Sequence, residues 1–579
     1  MSSTQQPYTF DSSLINVHPV LTIPELLDSV FSFLDHHSNG TNACVCKAWS
    51  NVALPVLWCD VDLWRLVSLL VPLKKRGDSS YELVRTPQPT DWIRFSRYAP
   101  LVRRLHYDMH SQTHKHLHHS IFNDIARTRL QLNILPNLST LDWITGNMHD
   151  MEMNFVFMHE QVKQFVVCLP FDSDPRFTNE EENGMDVPYL ADVAFRMPYL
   201  THLDLQMNFR NGLIITPLTT LLSLLTSLQT LILPESDITS QILTTVSRLP
   251  NLGTITFPSG PNQGLGFTAN VSPTLTEGAF PSLWNLSLIA SMHDMWRFFE
   301  MQFMPTNLTN LSLHCRNVYS AEEVRGLLKC VADGCQMLKA LLLFIFMDND
   351  SAKKGSIIFE ALQPLLVRLN LTEFSLFHDC PIDITQNQIE MFAVKWPSLE
   401  AFILYYLSVK LTTYKPTLTL LAILPFLLHC PNLRELGLFI SASTDFPSPI
   451  IFPSGSASTT CTSSHCDIKR FEQSITLFFG FSDIQDEGAV ALFLSRLYPL
   501  GFDIECEISL SRVQDAIDDN SPEELTGELK RRVARWDEVV KMLAVLTTLR
   551  MEERERCRAL EREVEDLRSR IRTLTDVSR

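Results

Sequence analysis

The sequence has no excess of basic charge, no uninterrupted apolar run of membrane-spanning length, and no glycine-rich phosphate loop ahead of a helix. Each absence excludes something. A formal net charge of −17 argues against a general nucleic-acid binder, whose surface should be basic. The nearest approach to a membrane span, "LTLLAILPFLLHC" at residues 418–430, is short and broken by Pro425, so no membrane partner is expected. "MSSTQQPYTFDSS" lacks the basic start and apolar core of a secretory signal. The 13 cysteines are scattered at irregular spacing, which favours reduced thiols and a cytoplasmic or nuclear location over a disulfide scaffold. There is no nucleophile elbow and no "HExxH", so no catalytic residue is named and an enzyme is not expected.

Two histidine-bearing stretches invite a metal and fall short. "HSQTHKHLHH" places His110, His114 and His118 at helical i, i+4 spacing, but no cysteine or carboxylate cluster accompanies them. "CTSSHC", Cys461 to Cys466, has no second pair. No metal and no cofactor are expected.

What is present is a globular balance, 45% hydrophobic and 20% charged, that can bury a sizeable core. Its apolar surface is dense from the start. Thr22 and Glu25 have capping-box spacing, and Pro24 fits a first helical turn. A helix is predicted over Pro24 to Leu34, with Leu26, Leu27, Val30, Phe31, Phe33 and Leu34 on one broad stripe. "HHSNG" should break it. A second helix fits Thr41 to Leu54, with Val45, Trp49 and Val52 on one face and Pro55 as its stop. So few residues cannot bury this much surface among themselves. The surplus should meet a partner chain or the next domain.

These residues resemble an F-box: Ile23-Pro24-Glu25-Leu26-Leu27, Val30-Phe31, Phe33-Leu34, Val45-Cys46-Lys47, Trp49 and Trp58. The resemblance implies a helical module that binds a Skp-type adaptor and through it a cullin–RING ubiquitin ligase. It assigns adaptor contact to Ile23, Pro24, Glu25, Leu26, Leu27, Val30, Phe31, Leu34, Val45 and Trp49. The chain departs from the family at Asn39-Gly40, where an apolar pair is usual; that should weaken a middle helix or part of the contact.

Beyond this stretch the pattern apolar-x-x-apolar-x-apolar recurs. It reads "LSTLDW" from Leu138, "LTHLDL" from Leu200, "LQTLIL" from Leu228, "LGTITF" from Leu252, "LWNLSL" from Leu283 and "LTNLSL" from Leu308. It continues as "LKALLL" from Leu338, "LTEFSL" from Leu371, "LEAFIL" from Leu399 and "LRELGL" from Leu433, with weaker copies from Val102 and Val162. Intervals of 24 to 38 residues leave room for a return helix, such as Leu218 to Leu225 or Ala321 to Ala332. Repeated strand, turn and helix stack into a parallel solenoid. The pattern resembles leucine-rich repeats. An asparagine follows the strand at the usual place only in "LTHLDLQMN", at Asn208, so an irregular horseshoe without a continuous asparagine ladder is expected.

The expected fold class is therefore α/β: a small helical F-box, an irregular leucine-rich-repeat solenoid of parallel strands plus helices, and a long C-terminal helix. The boundaries are 1–20 disordered, 21–64 F-box, 65–442 solenoid, 443–467 a Ser/Thr/Pro-rich loop or linker, 468–512 last strands, and 521–579 the helix. In that helix Trp536, Val539, Leu543, Leu546, Cys557, Leu560, Val564, Leu567, Ile571 and Leu574 follow 3- and 4-residue steps that only Arg550 and Glu553 miss. This is a candidate coiled coil and homodimer seam. On the strands, Leu342, Phe344, Phe377, Ile403, Tyr405 and Phe439 should form an apolar, aromatic target-binding patch on the concave face.

The function this implies is substrate receptor of a Skp–cullin–F-box ubiquitin ligase in ubiquitin-dependent degradation, with an unknown target protein. The alternative is a non-catalytic interaction scaffold that assembles into no ligase.

Overall fold

The computed structural model describes residues 18–77, 80–109, 115–145, 151–169, 186–207, 215–234, 238–257, 271–318, 320–347, 358–378, 382–406, 415–442, 475–479, 482–497 and 523–577. Most of the expected disordered start, the Ser/Thr/Pro-rich linker, Asn208, His110, His114, Cys461 and Cys466 lie outside these residues. The chain divides into two compact units, Met1–Pro234 with Leu249–Leu252, and Glu235–Arg248 with Gly253–Arg579.

The first unit opens with three helices, α1 (Pro24–Ser32), α2 (His36–Val45) and α3 (Lys47–Cys59). Three local expectations change. The N-cap of α1 is Ile23, not Thr22, because a 3-10 turn over Pro19–Thr22 absorbs Thr22 and Pro24 takes the first helical position. "HHSNG" is not a break but the first half of α2: Asp35 caps it by accepting from the Ser38 amide at 2.6 Å. The break falls at Cys46, whose backbone is extended and whose sulfur accepts from the Trp49 amide. Pro55 sits inside α3 and does not end it. The missing proline N–H leaves the Asn51 carbonyl without its usual donor, but Leu57 and Trp58 beyond it are buried and hold the helix in register.

The rest of the unit is a run of parallel strands, Asp60–Asp62, Arg104–Asp108, Thr140–Ile144, Gln164–Leu169, His202–Met207 and Thr230–Ile232, each paired with the next. The apolar motif positions stack in register. Leu105 lies opposite Leu141, then Phe165, Leu203 and Leu231, and all are fully buried. Helices Ser120–Thr128, Asp186–Arg196 and Ile215–Leu224 return the chain between strands. Trp58 joins the three-helix module to this array: its ring lies 4.8 Å from Tyr98, with the Arg65 guanidinium 4.6 Å from its centre.

In the second unit the parallel run is Thr254–Thr256, Asn285–Ser291, Asn310–Val318, Ala340–Met347, Glu373–His378, Ala401–Tyr406, Glu435–Gly437 and Thr476–Phe478. Ile255, Leu286, Leu311, Leu341, Phe374, Phe402, Leu436 and Leu477 form its inner row, all buried. A second parallel sheet holds Leu418–Thr419, Ile440–Ala442 and Asp483–Ile484. Both units are leucine-rich-repeat-like α/β arrays.

Two devices make the repeat. The first is the turn before each strand. In "LPNL" the Leu138 amide donates to the Leu135 carbonyl at 3.1 Å, placing Pro136 where a β-turn favours a fixed φ. Leu225 to Leu228 and Cys335 to Leu338 make the same turn without proline. The second device is a ladder of shared carbonyls. Arg103 O accepts from both the Ser139 and Thr140 amides, Ser139 O from Lys163 and Gln164, and Lys163 O from Thr201 and His202. The second unit repeats it at Trp284, Thr309, Lys339, Thr372 and Glu400. Backbone acceptors thus link each repeat to the next, the task an asparagine ladder would otherwise share.

The C-terminal helix, Glu523–Val577, belongs to the second unit. Its first half is not a coiled-coil seam. Val533, Trp536, Val539 and Leu543 are buried, and Arg550 donates to the Ser495 carbonyl at the end of helix Glu487–Leu497. Among the described residues no helix is long and apolar enough to cross a membrane.

Candidate partner-docking site

The three-helix module has its own core. Leu27 and Phe31 of α1 and Ala53 of α3 are buried together, with Ala43, Trp49, Val52 and Val56 packed around them. The Phe31 ring meets Trp49 edge-on at 5.4 Å, and the Trp49 indole donates to the Leu21 carbonyl at 3.2 Å. These contacts divide the broad apolar stripe of α1 into two faces. Leu27 and Phe31 point inward. Ile23, Leu26, Val30 and Phe33, at steps of three, four and three, point outward, and Phe33 is 90% exposed.

The adaptor assignment must be divided accordingly. Ile23, Pro24, Glu25, Leu26, Val30, Leu34 and Val45 are exposed. Leu27 and Phe31 are not available at the surface, because they are the residues that hold α1 to α3; Trp49 is half-buried in the same contact. Val20 and Leu21, outside the assigned set, add to the exposed apolar surface, as does Phe33. Asn39 acts differently from the expectation drawn from it. It is buried, and its Nδ2 donates to the carbonyls of Phe31 at 2.8 Å and Leu34 at 3.2 Å, satisfying the open end of α1. The middle helix is present, and this polar residue ties it to the first. Its side-chain amide was the signal in the sequence, legible only once the first turn of α2 is known to lie against the end of α1.

The strand faces differ between the units. In the first, Arg104 lies 3.8 Å from Asp60 and 3.7 Å from Asp142, and His106 lies 3.1 Å from Asp60. Burial pushes the carboxyls of Asp142 and Asp204 above the usual range, opposed at Asp142 by Arg104 and at Asp204 by the Gln206 amide.

In the second unit, Leu342, Ser375, Ile403 and Gly437 share one row, and Phe344, Phe377 and Tyr405 the next. The register is as the spacing predicts, but the row is not an open patch. Phe377, Ile403 and Phe439 are buried, and Leu342 and Phe344 are half-buried. Strands about 4.8 Å apart set the Phe344 and Phe377 rings 4.6 Å apart in a stack, and each covers the other. Phe439 lies between two short strands and is outside these rows. The side chain of Tyr405 is outside the described residues.

His314 continues the ring stack, 4.3 Å from Phe344 and 5.3 Å from Phe257. Burial, aided by Arg316, pushes its imidazole down to about 4. The folded pKa lies below the unfolded value of about 6.5. The stability this neutral ring contributes is therefore complete above that value and is lost as pH falls toward 4. The expected loss is about 3 kcal/mol. Chemical denaturation of the chain between pH 7 and pH 4 should show it, and a His314→Phe variant should show a correspondingly flatter profile.

No protein-family model matches the chain, and no curated protein matches it. Solved structures with a similar course include the complex of Rad7 and Elc1 in yeast, at 16% identity and a TM-score of 0.32 over 65% of this chain and 87% of that one. The leucine-rich-repeat-containing protein LegL7 from Legionella pneumophila is similar at 12% identity and a TM-score of 0.27, over 54% of this chain and 85% of that one. The TLR13–ssRNA13 complex is similar at 15% identity and a TM-score of 0.25, over 61% of this chain and 41% of that one. At such scores these likenesses carry no functional argument.

Proposed function

We propose that this chain is an F-box substrate receptor. Its N-terminal module docks a Skp-type adaptor and so a cullin–RING ubiquitin ligase, and its repeat arrays hold a target protein in the cytoplasm or nucleus. The observation that supports the reading is the second apolar face of α1: Ile23, Leu26, Val30 and Phe33 are exposed on the flank beside the face that packs into the module's core. An exposed apolar patch of this kind is an interaction surface. Catalysis in such an assembly comes from other subunits, and the receptor contributes proximity, so it needs no active site of its own. The charged strand face of the first unit suits a polar target better than the closed aromatic rows of the second. We further propose that the end of the C-terminal helix pairs two copies of the chain.

The test is adaptor capture by purified full-length chain. Val30→Asp and Phe33→Asp should each reduce capture at least tenfold, since a buried apolar side chain contributes roughly 1.5–3 kcal/mol. Helical content and unfolding temperature should not change, because neither residue is in the core. A wild-type chain that captures no adaptor would favour the scaffold instead.

A further inference from the structure

From Met551 to Arg572 every side chain of the C-terminal helix is exposed. A helix open on all sides is marginal in water by itself. Yet this stretch carries an apolar seam: Leu560, Val564, Leu567 and Ile571 are 61%, 46%, 50% and 62% exposed. The steps between them are four, three and four residues, the spacing of alternating d and a positions of a heptad. Leu560 and Leu567 fall at d, and Val564 and Ile571 at a. One heptad earlier, Cys557 falls at a and is exposed. β-branched residues at a with leucine at d favour a two-stranded parallel coil.

The charges beside the seam suit a parallel orientation. Arg556 and Glu563 occupy g; Glu561 and Arg568 occupy e. In a parallel, in-register pair each g residue faces the e residue five positions on in the other copy. Arg556 then meets Glu561, and Glu563 meets Arg568, in both directions across the pair: four opposite-charge contacts. An antiparallel pair that puts Glu563 against Glu563 also puts Arg556 against Arg570; the antiparallel register that sets Glu561 against Arg568 separates the two Cys557 residues. Within one helix Arg568 lies 3.7 Å from Glu565, an exposed i, i+3 contact that is worth little and yields readily.

We infer that residues 556–577 form a parallel, in-register two-stranded coiled coil with a second copy of this chain, with Cys557 facing Cys557 across the seam. This rests on the pairing of copies proposed above and fixes its orientation and register. It would place two receptor arrays on one shaft and give the assembly two N-terminal modules.

The experiment uses the full-length chain in sedimentation velocity at roughly 10 µM and above, a range set by the marginal stability of short helices. The mass should double with concentration, and Leu560→Glu with Leu567→Glu should return it to a monomer. Glu561→Arg sets Arg556 against arginine and should weaken the dimer at least tenfold. Adding Arg556→Glu to it exchanges both signs and should restore the dimer. A short bismaleimide should link two copies, and Cys557→Ala should abolish the link. A chain that stays monomeric overturns the pairing itself. A dimer that neither the charge exchange rescues nor Cys557 links overturns the parallel register and leaves only the pairing.

Discussion

Replacing Phe31 by alanine should cost the N-terminal module about 3–5 kcal/mol, the usual range for emptying a buried aromatic site. Phe31 is 2% exposed and sits between Leu27, Ala53 and Trp49. The same cluster, with Ala43 of α2 and Trp49, Val52 and Val56 of α3 around it, packs α1 against α3. A module of three short helices has little stability to spare. Amide hydrogen exchange should therefore show residues 24–45 opening while the strands of the first unit keep their protection. Adaptor capture should fall as well, through unfolding. The contrast with Val30→Asp and Phe33→Asp is what gives the experiment its force. Those variants should lose capture with exchange unchanged. If Phe31→Ala leaves exchange unchanged, the core described for this module is wrong. If Phe33→Asp retains full capture, the docking face lies elsewhere.

Replacing Trp536 by alanine should have an effect of the same size at the other end of the chain, again about 3–5 kcal/mol. The indole is 1% exposed, its Nε1 donates to the Ser482 carbonyl at 3.0 Å, and its ring lies 5.0 Å from Phe479. Arg535 reinforces the contact by donating to the Ile484 carbonyl and pairing with Glu487 at 3.1 Å. Loss of the indole should expose both the first half of the long helix and helix Glu487–Leu497. Trp536→Phe keeps an aromatic ring in the site but loses the hydrogen bond and part of the ring volume, a smaller cost of which about 1–3 kcal/mol falls on the Ser482 carbonyl left behind. Thermal unfolding with exchange over residues 482–497 and 531–547 would separate the two. Truncation makes the same division. Removing everything from Trp536 onward should destabilise the second unit, whereas ending the chain after Arg550 should leave it folded. Equal stability of the two truncations would show that the helix is not part of that unit.

The sequence by itself determined the repeat. A period of apolar residues two apart, recurring with a turn before each strand, specifies parallel strands with one buried face, because alternate side chains of a strand must point the same way. Ile255 through Leu436 follow from that rule alone, and so does the register that sets Phe344 beside Phe377. Local chemistry misled where two signals compete. Thr22 had capping-box spacing with Glu25, but Pro24 fixed the start of α1; "HHSNG" looks like a break, but Asp35 provides a cap and the helix runs through the glycine.

Only the tertiary structure decided which side of an apolar stripe is core and which is surface. Leu27 differs from Leu26, and Phe31 from Val30, by one position, and all four side chains are apolar. What separates them is the place where α3 sits, and that depends on Ala53 and Trp49, which are distant in the chain. The same holds for the long helix. Val539 and Leu543 continue the heptad that Leu560 and Val564 follow, yet helix Glu487–Leu497 buries the first pair and leaves the second exposed. Periodicity states that a face is apolar; it carries no record of what covers that face, because burial is set by neighbours distant in sequence and not by the side chains that lie within one turn.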